Sequence, residues 1–227
     1  MGKAGAPRRE GKRRGEGGAD GDAYELSREY EVKALEAERR GELGLAERMW
    51  EEYARLKEEK GSYFLSSYGL YQRSRLLEGE GRLGEAAGGY GRAAGMAERG
   101  GDFGLVAFLL LEAARCWERV GKQAEARRVY ESLARKWEER GDFFRAADAY
   151  ERAAGVLRGT GKGWRKYREP GMAWMRCAEW HVRRGDPGDA LWALRRAERY
   201  FLRTGDREAL KLLEERRRGI NQDQVAR

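Results

Sequence analysis

The sequence predicts an all-α solenoid of about ten antiparallel helices, arranged as about five helix hairpins with a 40-residue period. Three observations carry that expectation. First, β-branched residues are nearly missing: Ile occurs once (Ile220) and Thr twice (Thr160, Thr204), while Ala, Leu, Glu, Arg and Lys dominate. Sheets draw on β-branched and aromatic side chains, helices on the residues abundant here. Second, glycine stands at positions 21, 41, 61, 81, 101, 121, 141 and 161, a constant spacing of 20, and the series resumes at Gly185 and Gly205. Third, the segments between these glycines repeat one apolar pattern.

Glycine ends a helix by taking a positive φ without a Cβ penalty. An Asp placed next can cap the following helix and complements its positive N-terminus. Gly101-Asp102, Gly141-Asp142, Gly185-Asp186 and Gly205-Asp206 therefore read as a stop joined to a start.

Counted from each glycine, offsets five, nine and thirteen form one helical face, because they are spaced i, i+4, i+8. In chain order the segments carry Leu26, Tyr30 and Ala34; Ala46, Trp50 and Ala54; Ser66, Leu70 and Ser74; Ala86, Tyr90 and Ala94; Val106, Leu110 and Ala114; Ala126, Tyr130 and Ala134; Ala146, Tyr150 and Ala154. A small–large–small stripe lets two helices close on a central knob. Offset sixteen adds Leu77, Trp117, Trp137, Leu157 and Phe201 to nearly the same face.

The segment 161–184 breaks the period. With four extra residues, Trp174 and Ala178 rejoin the stripe. Pro170 is tolerated only at a helix start, so the helix opens at Glu169–Gly171 and 161–169 form a loop or short turn. Two helices follow, and the last, Asp206–Arg218, is so heavily charged that it reads as a polar cap. Capping of this kind argues against open-ended stacking of copies, a third reading of such a chain. The expected boundaries are a disordered, basic, Gly-rich tail at 1–20, a helical-repeat domain at 21–218 and a flexible tail at 219–227. Residues 1–20 hold six basic residues and no large apolar one, and cannot bury enough to offset ordering.

Composition bounds the function. The chain has 227 residues, 38% of them charged, with a net charge of +8. Mean hydropathy is −0.89. No run approaches the roughly 20 apolar residues of a spanning helix, and the N-terminus lacks a secretory h-region. A cytoplasmic location is the expectation. Two cysteines, Cys116 and Cys177, lie on apolar stripes with no metal-ligand spacing and read as small buried hydrophobes. Abundant charge with few amides suggests a thermophilic source.

Segments such as Ala86-x3-Tyr90-x3-Ala94 and Ala146-x3-Tyr150-x3-Ala154 resemble the second helix of a tetratricopeptide repeat. The longer 40-residue unit, the Gly-Asp turns and the stretch GDFFRAADAYERAAGVL resemble the soluble NSF attachment protein (SNAP) branch of that superfamily. The resemblance covers residues 21–215. It implies protein–protein adaptor work, with a partner helix or peptide held on the concave face and no catalysis in the repeats.

No catalytic constellation, cofactor site or metal site is evident. His181 is the one histidine and falls at a packing position. Gly88, Gly89, Gly91 and Gly95 follow no strand, so they are not a phosphate loop. They predict close helix contact, a soft helix, or room for a ligand helix. Between Lys162 and Arg203 stand eleven basic and five acidic residues, interleaved with aromatics. The partner-binding candidates are Trp164, Arg165, Lys166, Tyr167, Arg168, Arg176, Arg183, Arg184, Arg195 and Arg196. Trp164 and Tyr167 lie off any stripe, which favours them as contacts. Such a patch suits an acidic or amphipathic helix or peptide of a protein partner. The alternative is single-stranded RNA, held through phosphates and stacked bases. The bland reading is that the aromatics are core and the arginines a solvated face.

Overall fold

The computed structural model describes residues 17–160, 163 and 167–225, with side chains over 24–159, 163 and 167–222. Among them run ten helices: α1 (Gly17–Arg40), α2 (Leu43–Glu59), α3 (Tyr63–Gly79), α4 (Leu83–Arg99), α5 (Phe103–Val120), α6 (Gln123–Glu139), α7 (Phe143–Thr160), α8 (Glu169–Arg184), α9 (Pro187–Thr204) and α10 (Arg207–Val225). Each packs on its chain neighbours, as short turns require. The fold is an all-α helical-repeat solenoid of stacked hairpins.

The turns come from glycine. Eight of the predicted stops, Gly41 through Gly141 at 20-residue spacing with Gly185 and Gly205, have φ between 69° and 80°. At Gly81 the amide donates to the Glu78 carbonyl at 3.0 Å and the next amide, Arg82, reaches Leu77 at 2.9 Å. This pair of bonds satisfies carbonyls the helix leaves open. The same pair closes the turns at Gly41, Gly61, Gly101, Gly121, Gly141 and Gly185. Asp102, Asp142 and Asp206 then cap the next helix by accepting amides of Leu105, Arg145 and Ala209, each at 3.0 Å. Asp186 makes no such bond; Pro187, at the start of α9, presets the backbone there instead. Gly21 is no stop, since α1 runs through it, and Gly161 lies outside the described residues.

The stripe is core, as its spacing predicts. Trp50, Tyr90, Tyr130 and Trp174 are buried, each between small residues that are buried too. Leu26 on α1 is exposed, and Tyr30 and Leu110 are half-buried. Charged pairs stand at packing positions of α1 and α10. Where α3, α5 and α7 bury Gly69, Leu109, Ala149 and Leu76, Cys116, Val156, α1 carries Glu29 and Glu36. Those two pair with Lys33 at 2.6 Å and Arg40 at 3.7 Å. On α10 the stripe positions hold Leu210, Glu214 and Arg218, the last two paired at 3.6 Å. Helix α10 runs past 218 to Val225, and Ile220, two turns beyond Leu213, is buried.

Ion pairs two helices apart sort the helices into two layers. Even helices are linked by Arg92–Glu51 (2.5 Å), Arg99–Glu58 (2.6 Å), Lys136–Glu98, Arg176–Glu138 and Arg216–Glu179 (3.0 Å). Odd helices are linked by Arg75–Glu38 (2.7 Å), Arg119–Glu78 and Arg196–Glu151. Three odd-layer glutamates also tie the layers together. Glu38 accepts Trp50 Nε1–H at 2.7 Å, Glu78 accepts Tyr90 O–H at 2.9 Å and Glu151 accepts Trp174 Nε1–H at 2.7 Å. Each of these carboxylates therefore joins three consecutive helices. Glu118 accepts Tyr130 O–H at 2.6 Å in the same register. Burial, with the Glu78 and Glu118 carboxylates beside them, holds the Tyr90 and Tyr130 hydroxyls protonated far above their usual range.

The α4 glycines divide between two of the expected roles. A Cβ on Gly89 would sit 2.2 Å from Ser74 Oγ, so Gly89 is a close helix contact. Gly88, Gly91 and Gly95 face open space. Gly171 is as tight as Gly89: a Cβ there meets three Phe201 ring atoms at 2.6–3.0 Å.

Urea or thermal melts check these contacts. Gly88→Ala and Gly91→Ala should each stabilise by about 0.5–1 kcal/mol, because nothing obstructs the methyl and the helix gains propensity. Gly171→Ala should destabilise by about 1–3 kcal/mol through overpacking. Glu78→Ala should cost about 1–3 kcal/mol by leaving the Tyr90 hydroxyl without its partner. Glu98→Ala, which breaks one exposed pair, should cost below about 1 kcal/mol. Equal losses for the two glutamates would contradict the three-helix role.

Candidate interaction surface

The five most exposed aromatic side chains among the described residues are Tyr24, Phe64, Phe108, Phe144 and Trp192, at 38–63% exposure. They fall one on each odd helix, α1, α3, α5, α7 and α9; the last four stand at offset three or seven from the preceding turn glycine, and Tyr24 stands three after Gly21, which lies inside α1. Those offsets are one helical turn apart on the same face. Odd helices run parallel to one another, so the rings form a row along one side of the stack. Within the row, Phe144 of α7 lies 6.0 Å from Trp192 of α9, and beside it the half-buried Tyr71 of α3 lies 5.9 Å from Phe108 of α5. The even layer carries no comparably exposed aromatic among the described residues, and its outer face is charged. Sequence reasoning missed this row. Its signal was an aromatic at offset three or seven in every second segment, outside the buried stripe.

The row is most built up at α7–α9. Phe144 and Trp192 are stacked at 17° between ring planes. Both stand edge-on to the buried Trp174, at 5.6 Å and 5.1 Å. Arg196 lies over Trp174 and Trp192, at 4.9 Å and 5.3 Å from their centroids, and pairs with Glu151. A cleft of about 340 Å³ opens beside the rings, lined by Phe144, His181, Asp189 and Trp192. His181 packs edge-on against Trp180 at 4.9 Å. The packing position is as expected, but the buried Nδ1 of His181 makes no hydrogen bond among the described residues. The carboxylates of Asp186 and Asp189 stand 3.9 Å from it.

The described residues of the sequence-predicted basic patch are divided between α8, α9 and the residues just before α8. Trp164, Arg165 and Lys166 lie outside the described residues. Tyr167 is buried, its hydroxyl donating to Glu131 at 2.9 Å, and burial pushes that hydroxyl far up. Being off the helical stripe did not leave it free, because Tyr167, just before α8, reaches Glu131 of α6. Arg168 pairs with Asp206 at 3.1 Å, and Arg176 with Glu138. Arg184 lies 3.8 Å from Asp186 and covers the half-buried Trp180 ring at 4.6 Å. Arg183 and Arg195 are exposed and have no ion-pair partner among the described residues, but they stand on α8 and α9, in different layers.

Among the described residues no group of His, Cys, Asp or Glu could hold a metal ion, and no helix is long and apolar enough to cross a membrane. Burial pushes the Cys116 and Cys177 thiols up to about 11.

No family model matches the chain, and no curated protein matches it. Among solved structures, it is similar to BtubC (BKLC) from P. vanneervenii at 18% identity, covering 80% of this chain and 83% of that one, with a TM-score of 0.38. A putative kinesin light chain with nearly identical TPR-like repeats, from Podosopora anserina, is 13% identical over 80% of this chain and 97% of its own, at 0.36. The MamA protein is 14% identical over 81% and 96%, at 0.31.

The thiols give a direct check on the packing of both halves. Cys116 and Cys177 should not react with Ellman's reagent at pH 8, where the protonated form prevails, and both should react once guanidinium unfolds the chain. Prompt reaction of either thiol in the native protein would mean that its helix pair opens.

Proposed function

We propose that this chain is a non-enzymatic protein-interaction scaffold whose working surface is the outer face of the odd helices. The observation that carries the reading is the row of one exposed aromatic per hairpin, set against a charged even layer. Exposed aromatics at regular spacing are costly to leave in water and are the side chains that most often anchor protein interfaces. A partner helix or extended segment lying along the row would meet a ring on each hairpin. The resemblance of the 40-residue unit to the attachment-protein branch points the same way, towards adaptor work.

The nucleic-acid reading is weaker than its sequence basis. Arg168, Arg176, Arg184 and Arg196, four of the arginines it relies on, are engaged by carboxylates of the chain itself. Phosphate binding needs uncommitted cations, and it would show a steep salt dependence.

The test is comparative capture from nuclease-treated lysate of the native cells, with three forms of the full chain. A partner held by the wild type should persist with Arg48→Glu/Arg128→Glu on the even face. It should be lost with Phe64→Ser/Phe108→Ser/Phe144→Ser on the odd face. Loss of every partner on nuclease treatment would overturn the reading, and so would loss with the even-face variant alone.

A further inference from the structure

We infer that the α7–α9 end of the aromatic row is a distinct docking site for an acidic protein segment bearing one large apolar side chain. The inference rests on the scaffold reading and goes beyond it in naming the site and the chemistry of its occupant.

The outer stripe of α9 runs Trp192, Arg195, Arg199, Leu202 at spacings of three or four residues, one face of the helix. All four are exposed. Over ten residues the stripe is about 15 Å long. Neither Arg195 nor Arg199 has an ion-pair partner among the described residues. The acid between them, Glu198, faces away and pairs with Arg217 of α10 at 2.8 Å. This contrasts with the neighbouring Arg196, which Glu151 neutralises. The stripe thus offers two uncommitted guanidiniums, an apolar residue at each end and no acid. Its complement is a segment carrying carboxylates and apolar groups together.

The cleft beside Phe144 and Trp192 fixes where the apolar group goes. Its walls are held before any partner arrives, because both rings rest on Trp174 and Trp174 is fixed by its bond to Glu151. A preformed aromatic wall lowers the ordering cost of binding. Asp189 lies at the cleft end of α9 and the arginines beyond it. The anchor therefore seats at the start of α9, and the carboxylates follow towards its C-terminus.

The same geometry disfavours RNA. Trp192 is already engaged by Phe144, Trp174 and Arg196, so it has little ring face left for a base to stack on. Two arginines also supply few phosphate contacts.

The experiment is selection of a random 12-residue phage-displayed library on the intact chain, followed by anisotropy titration of the enriched peptides as labelled synthetics. The expected peptides are net negative with one large aromatic or aliphatic residue. Their affinity should fall tenfold or more with Arg195→Glu/Arg199→Glu, both exposed and uncommitted, so the fold is kept. It should be unchanged with Arg128→Glu/Arg135→Glu on the even layer. Basic or uncharged winners would overturn the site, as would acidic ones indifferent to the α9 reversal, failure to enrich any peptide, or tighter binding of a 12-nucleotide single-stranded RNA. Peptides lost on Phe64→Ser/Phe108→Ser but not on the α9 reversal would overturn this site and leave the scaffold reading standing.

Discussion

The carboxylates of Glu38, Glu78 and Glu151 set the geometry on which the rest of the stack depends. Each takes a hydrogen bond from the aromatic knob of the next helix and an ion pair from an arginine two helices on. The knob needs that acceptor, because a buried indole N–H or phenol O–H without a partner is costly. The small residues on either side of the knob bring the helices close enough for it to reach. Since one glutamate serves three helices, the angle between neighbours and the spacing of second neighbours are set together. Charge-assisted bonds of this kind are stronger than neutral ones and have defined direction.

The series Glu38, Glu78, Glu118 predicts a fourth acid at position 158, where the chain has Arg158. Trp174 consequently reaches to Glu151, two turns earlier in α7, and Arg196 follows it there. This displacement brings Trp174, Trp192 and Phe144 into one cluster at the α7–α9 face. The extra residues before α8 are where the period slips, and the richest part of the aromatic row lies beside that slip. Insertions in helical repeats often sit on the binding side for this reason: they alter one hairpin without disturbing the register of the others.

The repeat itself was legible in the sequence because its determinants are local. A turn glycine, an Asp cap and an i, i+4, i+8 stripe are each set by neighbouring residues, and Gly41 through Gly141, Asp102, Trp50 and Tyr90 all took the places their spacing implied. The surface was less legible because it is assembled across layers. Arg176 and Arg183 are close in sequence to Arg195 and Arg196, yet the turn at Gly185 sends the two pairs to different layers. Counting charges along 162–203 merged two surfaces, and it counted arginines that the chain's own glutamates engage. Glu138, far away in sequence, neutralises Arg176. The acids at 38, 78 and 118 were visible as a 40-residue period of their own, one turn beyond the apolar stripe at offset seventeen, and a charge continuing that stripe reads as a solvated helix end until its partner on the next helix is known.

The two layers solve opposite problems. On the even side the charged groups largely cancel in pairs between second neighbours, which keeps that face soluble. Each such pair contributes little stability where it is exposed. On the odd side the arginine–glutamate pairs lie lower, and rings at offsets three and seven stand above them. Because each hairpin touches only its neighbours, the energetics of the stack are close to one-dimensional. Ring substitutions at α3 or α5 should therefore leave the geometry of α7–α9 intact, and changes on α9 should leave the rest of the row in place. A scaffold built this way can hold one partner along its length and reserve its last hairpins for a charge-selective contact. The constraint that makes this separable is the same short-range packing that made the repeat readable.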